Sequence, residues 1–489
     1  MLLAALLSMA APQADLVSHL HLSQRTHSHT SPWLTVPRKI RILLPGFEAF
    51  EPWPFKIYSG YLTVPGPFKL NKYDSLHIHY QLHTAQKSPA RAPVVTWHQG
   101  GPGGSSIAVG LYTEMGFLQI DDQGMHTNEY AWNKIANMLY LESPAGSGDS
   151  HGFSTCVQGS QPTSCEWDDV SQAEAYAHTL AAFYRAFPEY SSNPLYLTGE
   201  SYFGQYGPNI AQWILTHAPF NVSFPLKGIA LGNACWGGDE HSVNCNGPNE
   251  EQNDVDMFFG KGLISKKLHE RVYKGCRFPL KAPPTGECES LLEEVHSAVG
   301  PHNVYNIYDD CAGSVQPKLT ESGRSMRWLT KHLREPLSSS TEPSSAQIDR
   351  RKLADGGYTW ACGGEDATSK WLLRPDVRAA LHLGSPAESS FKYTTSGPAS
   401  ITLYPHLITR LRVLIYNGDA DACVPYKGNE EWIDSLVEAG DLTENSAWRP
   451  WYTSKSHVRT APAGYVTTYN VSHGKHDFSF LTIRLAGHM

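Results

Sequence analysis

The chain has 489 residues, with 39 Lys and Arg against 47 Asp and Glu, a formal charge of −8. Hydrophobic residues make up 41 % and charged residues only 18 %, with 13 Trp and 24 Tyr, which excludes an intrinsically disordered chain and implies an ordered core. The acidic balance argues against a nucleic-acid partner, and no apolar run reaches the roughly 18 residues of a membrane span.

The opening MLLAALLSMAAPQA places a short apolar run before small residues and predicts a signal peptide over 1–14, although the usual preceding Lys or Arg is absent. Residues 15–50 hold His19, His21, His27 and His29 without a sustained period and are expected to form a propeptide or poorly ordered arm. Scattered histidines without Cys or carboxylate partners are read as solvated, so no metal site is expected.

From about residue 57 strand-like and helix-like segments alternate. VVTWH is a buried strand that runs into the glycine-rich loop QGGPGG, and NMLYLESP is a second strand. SQAEAYAHTLAAFYRAF has apolar positions at helical spacing and ends at Pro188. PLYLTGES is a strand leading into the helix FGQYGPNIAQWILTH, and LKGIALGN, LRVLIYNGDAD and FSFLTIRLAGH repeat the strand-then-loop pattern. Such alternation predicts an α/β fold: a mostly parallel sheet covered by helices, with functional loops at the carboxyl ends of its strands. The core is expected over 51–234 and 366–489. Residues 235–365 break the rhythm and are expected to be an inserted cap, with PLSSSTEPSSAQ (336–347) as a flexible, protease-accessible loop.

The nine cysteines include no CxxC pair, which gives no support to zinc ribbons or thioredoxin-like redox sites. Their clustering points to disulfides in an oxidising compartment. With the sequons at Asn221 and Asn470 as glycosylation candidates, this favours the secretory pathway, in a secreted or vacuolar, lysosome-like location.

In TGESYFG, Ser201 lies between a strand and a helix, as a nucleophilic serine on a sharp turn requires. The motif alone is weak. Asp419 and Asp421 follow a later strand and His488 follows the last one, which is the chain order of acid and base in an α/β-hydrolase. The loop at 99–104 is too glycine-rich for packing alone and suits backbone N–H groups facing a substrate; phosphate binding has no Lys-Ser/Thr at the required spacing.

The segments FKIYSGYLTV, VVTWHQGGPGGSS, LYTEMG, NMLYLESPAG, LTGESYFGQYGP, GLIS, RPDVRAALHL, LIYNGDADACVP and TIRLAGHM, in this order over about residues 55–489, resemble the serine carboxypeptidase family. The resemblance implies an α/β-hydrolase with a helical, disulfide-rich cap, removing C-terminal residues from peptides and proteins with a free C-terminus at acidic pH, without metal or cofactor. It implies Ser201 as nucleophile, Asp421, in preference to Asp419, as triad acid, and His488 as base. The oxyanion hole would be the N–H groups of Gly101 and Tyr202, and the substrate carboxylate would be held by Gln99, Gly100, Glu114 and Glu200. Two glutamates can hold a carboxylate only while they are protonated or share protons with it, since ionised carboxylates accept and repel.

The chain departs from the family at several points. Gln99 replaces an asparagine, and Gly104 replaces a cysteine bonded to the cap. The pairing expected is Cys156–Cys165, Cys235–Cys245, Cys276–Cys288 and Cys311–Cys362, leaving Cys423 odd, either as a reactive thiol or as an inert buried one. Phe203 stands where the family has Ala or Gly, and its ring is expected to turn outwards or shift the turn. The chain stops at Met489, where the family continues, so His488 is expected to fray. This leaves two alternatives to the peptidase: a catalytically impaired carboxypeptidase-like binding protein, or an acyltransferase or esterase.

Overall fold

The computed structural model describes residues 39–40, 44–66, 68–121, 124–148, 153–217, 224–236, 245–280, 284–309, 365–383, 391–395, 397–453 and 461–488. Strands of the main sheet are β1 (Lys39–Ile40), β2 (Ile57–Pro65), β3 (Ser75–His83), β4 (Val94–His98), β5 (Asn137–Leu141), β6 (Thr155–Gln158) and β7 (Gln161–Thr163), followed by β8 (Leu195–Glu200), β9 (Leu226–Gly232), β10 (Arg412–Gly418), β11 (Leu442–Trp451), β12 (Gly464–Val471) and β13 (Asp477–Ile483). Their order is β1-β2-β3-β5-β4-β8-β9-β10-β13-β12-β11, with β6 and β7 hanging from β3. Pairing is parallel from β5 through β4, β8, β9 and β10 to β13. At both flanks it is antiparallel. The expected parallel sheet is therefore the centre of a mixed one. In β4, β5 and β8 every residue is buried, as strands covered on both faces require.

One face is covered by α1 (Asp169–Ala186) and α2 (Phe203–Thr216), which contribute Tyr176, Leu180, Phe183, Tyr206 and Ile210 to a common apolar cluster. Asp168 starts α1 with a reciprocal cap: its carboxylate accepts the Ser171 N–H at 2.7 Å while the Ser171 hydroxyl accepts the Asp168 N–H. On the other face lies a π-helix, Ser106–Met115, with its wide turns closed by bonds from Gly110 N to Ser105 O and from Gly116 N to Leu111 O. Ile107, Leu111 and Tyr112 pack it against Trp97 and Trp371.

Within the stretch expected as a cap, α3 (Glu250–Gly260), α4 (Lys266–Cys276) and α5 (Glu287–Val299) surround a separate cluster built on Phe258, Leu268, Val272, Leu291 and Val295. The disulfides Cys156–Cys165, Cys235–Cys245 and Cys276–Cys288 are formed as expected. Cys311, Cys362, the 336–347 run and Asn221 lie outside the described residues, whereas Asn470 is exposed on β12. The expected poorly ordered arm needs correction at its end: Leu44 and Phe47 are fully buried, because the chain already contributes apolar side chains to the core there.

Phe203 also corrects its expectation. Its ring is fully buried and packs 5.6 Å from the His98 ring, in space left by two glycines. A Cβ on Gly199 or Gly207 would come within 2.5 or 2.7 Å of that ring. The close helix approach that a small residue was expected to allow is made one position later, at Gly204, directly against the Cys235 carbonyl. Phe203→Ala should therefore cost about 3–5 kcal/mol in urea unfolding, as for other buried phenylalanines. A ring projecting into the substrate cleft would instead change KM and leave stability intact.

Candidate active site

Ser201 follows β8 in the left-handed region, with φ 58°. Such a turn is unusual for a residue with a side chain and is held here by three backbone bonds. The Ser201 N–H donates to Gly232 O, and its carbonyl accepts from Gly204 N and Cys235 N, each at 2.9 Å. The loop after β4 comes so close that a Cβ on Gly100 would lie 2.6 Å from both Ser201 Cβ and Tyr202 N, so only glycine fits. Gly101 follows with φ 116°. The two segments expected to offer oxyanion donors, around Gly101 and Tyr202, thus lie side by side.

Asp421, after β10, is fully buried and receives the His488 Nδ1 at 2.7 Å on Oδ2. The same oxygen accepts Asn233 Nδ2 at 2.7 Å and Val424 N at 3.2 Å, and Oδ1 accepts Cys423 N at 2.8 Å. Four donors converge on one carboxylate, which fixes its orientation. Asp419 has a different task. Its Oδ1 accepts Leu485 N at 2.7 Å and its Oδ2 faces Lys261 Nζ at 3.4 Å, tying the end of β13 to the β10 loop.

His488 does not fray. It is only 5 % exposed, and its N–H donates to Tyr305 O at 2.7 Å while the Tyr305 ring packs at 5.1 Å. The segment carrying Tyr305 is itself bonded along the β10 loop through Ile307 N to Ala420 O and Ala422 N to Val304 O. Met489 lies outside the described residues. His488 Nε2 is buried without a hydrogen-bond partner among the described residues. Burial alone would lower the pKa of His488, but the charge and hydrogen bond of Asp421, with Glu200 beyond, raise it above the usual value.

Next to the Ser201 turn, Gln99 joins the two glutamates. Its Nε2 donates to Glu200 Oε1 at 2.5 Å and to Glu114 Oε1 at 3.3 Å, and Trp97 Nε1 holds its Oε1 at 3.1 Å. The Gln99 and Gly104 departures are linked: a Cβ at 104 would lie 2.9 Å from Gln99 Cγ, so the longer amide uses room that Gly104 leaves. Glu200, 4 % exposed, has its carboxyl pushed up to about 7 by burial, against the lowering effects of the His488 charge and the Gln99 hydrogen bond. Sequence reasoning missed three residues here. Asn233 bonds Asp421 and accepts Gly418 N at 3.1 Å, Tyr305 seats His488, and the Tyr416 ring presses on Gly232 and senses both glutamates. Each acts through a contact distant in sequence, and only the Asn233 position at a strand end offered a signal. The thiol of half-buried Cys423 is pushed well up by burial and by the Asp421 charge, which disfavours the reactive thiolate.

No group of three or more His, Cys, Asp or Glu is placed to hold a metal ion among the described residues, and no described helix is long and apolar enough to cross a membrane.

Compared with known proteins, residues 45–489 match the serine carboxypeptidase family. The chain belongs to the serine carboxypeptidase family. Among curated relatives it is 32 % identical to the lysosomal protective protein of Mus musculus over 477 residues, covering 91 % of this chain and 89 % of that protein. It is 30 % identical to serine carboxypeptidase-like 20 of Arabidopsis thaliana, covering 91 % and 88 %. A prohormone-processing carboxypeptidase from Saccharomyces cerevisiae has the same fold, with TM-score 0.59 at 20 % identity over 91 % of this chain and 90 % of that one. By family this serine carboxypeptidase is a hydrolase of the exopeptidase type.

Replacing Asp421 by Asn removes the charge that most raises the His488 pKa. NMR titration of the imidazole in Asp421→Asn should show a lower pKa than in the wild type; an unchanged value would contradict the assignment of the raised pKa to this pair.

Proposed function

We propose that this serine carboxypeptidase removes C-terminal residues from peptides and proteins under acidic conditions through Ser201, His488 and Asp421. The observation that carries the reading is the cluster of buried Gln99 and Glu200 with half-buried Glu114 against the Ser201 turn. An amide and a carboxyl that stays neutral up to about pH 7 form a donor set for a carboxylate rather than for an uncharged chain end. Glu114 and Glu200 thus argue against an esterase or acyltransferase, since they suit a free C-terminal carboxylate.

His488 would take the Ser201 proton as its Oγ attacks the last peptide carbonyl, while Asp421 holds the tautomer through Nδ1 and stabilises the imidazolium. The N–H groups of Gly101 and Tyr202 would receive the oxyanion. His488 then returns the proton to the departing amino acid, and water releases the acyl group from Ser201. The productive state carries a proton on Glu200 and none on His488, and the charge of each group favours the charged form of the other. Three disulfides and a relative named as lysosomal support a secretory-pathway, lysosome-like or vacuolar setting.

The sign of the pH effect follows from Glu200. Its pKa is raised, so the donor is present below about 7 and is lost, with like-charge repulsion added, as the pH rises through that value. KM for a peptide acid should therefore rise across this range, while KM for the same peptide as its C-terminal amide stays flat. Parallel profiles would sink the carboxylate-site reading. A serine-directed phosphonate should label the wild type and leave Ser201→Ala unlabelled; an unlabelled wild type would favour the impaired binding protein instead.

A further inference from the structure

Among the buried carboxyls that take no part in the reaction, Glu142 lies against the carboxylate site. Glu142, at the end of β5, is fully buried. Its Oε2 accepts the Ile107 N–H at 2.9 Å, and the Ser105 hydroxyl and Ser106 N–H favour its charged form against the effect of burial. These three residues open the π-helix. Ser105 in turn caps it by accepting Ala108 N at 2.8 Å, and the Ser106 hydroxyl accepts the Gln99 N–H at 3.1 Å. On the other side, a Cβ on Gly148 would collide with Glu142 Oε1, and the Gly148 N–H donates to Gly103 O at 3.1 Å in the loop next to Ser201. One side chain therefore sits where the π-helix, the 99–104 loop and the end of β5 meet. The π-helix is short and of a type rarely stable by itself, so the hydrogen bonds at its first turn decide its rotation and its axial position. Its last turn carries Glu114.

We propose that Glu142 is a positioning residue for the carboxylate site: by holding the first turn of the π-helix it sets Glu114, and through Ser106 the Gln99 backbone, at the spacing a substrate carboxylate needs. Glu142 touches no substrate. The assignment rests on the carboxylate-site reading above. Burial pushes the Glu142 carboxyl up to about 8, so it is neutral under acidic conditions and a glutamine can stand in for it.

The test uses the full chain and one peptide supplied as acid and as C-terminal amide at acidic pH. Glu142→Ala should raise KM for the acid at least about tenfold, the order of loss expected when a binding group moves by ~1 Å, while KM for the amide and kcat for both change less than about twofold. Glu142→Gln should restore the acid KM. In a Glu114→Ala background, adding Glu142→Ala should have little further effect on the acid-to-amide ratio, since the two changes act on one interaction. Should Glu142→Ala fail to fold, Glu142→Asp, which withdraws the acceptor by one methylene and keeps its chemistry, carries the same comparison. Equal losses on acid and amide, or a full Glu142 effect persisting without Glu114, would overturn the assignment. A wild type without any acid preference overturns the carboxylate-site reading and this assignment with it. A wild-type preference left intact by the Glu142 variants overturns this assignment alone.

Discussion

A side chain on Gly100 would have to lie 2.6 Å from the Cβ of Ser201 and from the N–H of Tyr202. The close approach of these two backbones organises the site. It makes the loop after β4 and the turn after β8 one surface, so that Gln99 reaches Glu200 and the 101–104 segment faces Ser201. The approach is possible because β4 and β8 are parallel neighbours ending at the same level, with Gly199 opposite His98. The next strands bring Asn233, Asp421 and His488 to that level in turn. The left-handed turn at Ser201 persists because Gly232, Gly204 and Cys235 all bond its backbone.

Two kinds of carboxyl chemistry coexist within this small space. Asp421 receives four donors that fix its orientation, whereas burial pushes the carboxyls of Glu200 and Glu142 up so that they tend to keep their protons. The imidazole of His488 lies between these two regimes and is drawn toward its charged form by both neighbours.

Much of this was legible in the sequence, for a physical reason. Ser201, Asp421 and His488 each stand just beyond an apolar strand, and strand runs and glycine loops are local patterns that need no knowledge of packing. The segments that resemble the carboxypeptidases are the same strand ends and loops. What escaped was decided across distance. Phe203 looked like an obstruction because its accommodation depends on Gly199 and Gly207 on either side of the ring. The widened turns of the 106–115 helix leave no mark in the hydrophobic pattern, which reads as an ordinary apolar segment. The fraying expected of His488 overlooked Tyr305, some 180 positions earlier in the chain, whose carbonyl and ring seat it.

That seat has a biological corollary. The imidazole proposed as the base is seated not only by Asp421 at the sheet's edge but also by Tyr305, on a loop that follows the helices of 245–309. A newly made chain whose sheet has formed but whose 303–309 segment has not docked would have a complete nucleophile turn and no aligned base. Such an intermediate would be inert toward the loose ends of other unfolded chains around it. Hydrolytic competence would then wait on a long-range contact between the 303–309 segment and the chain around His488.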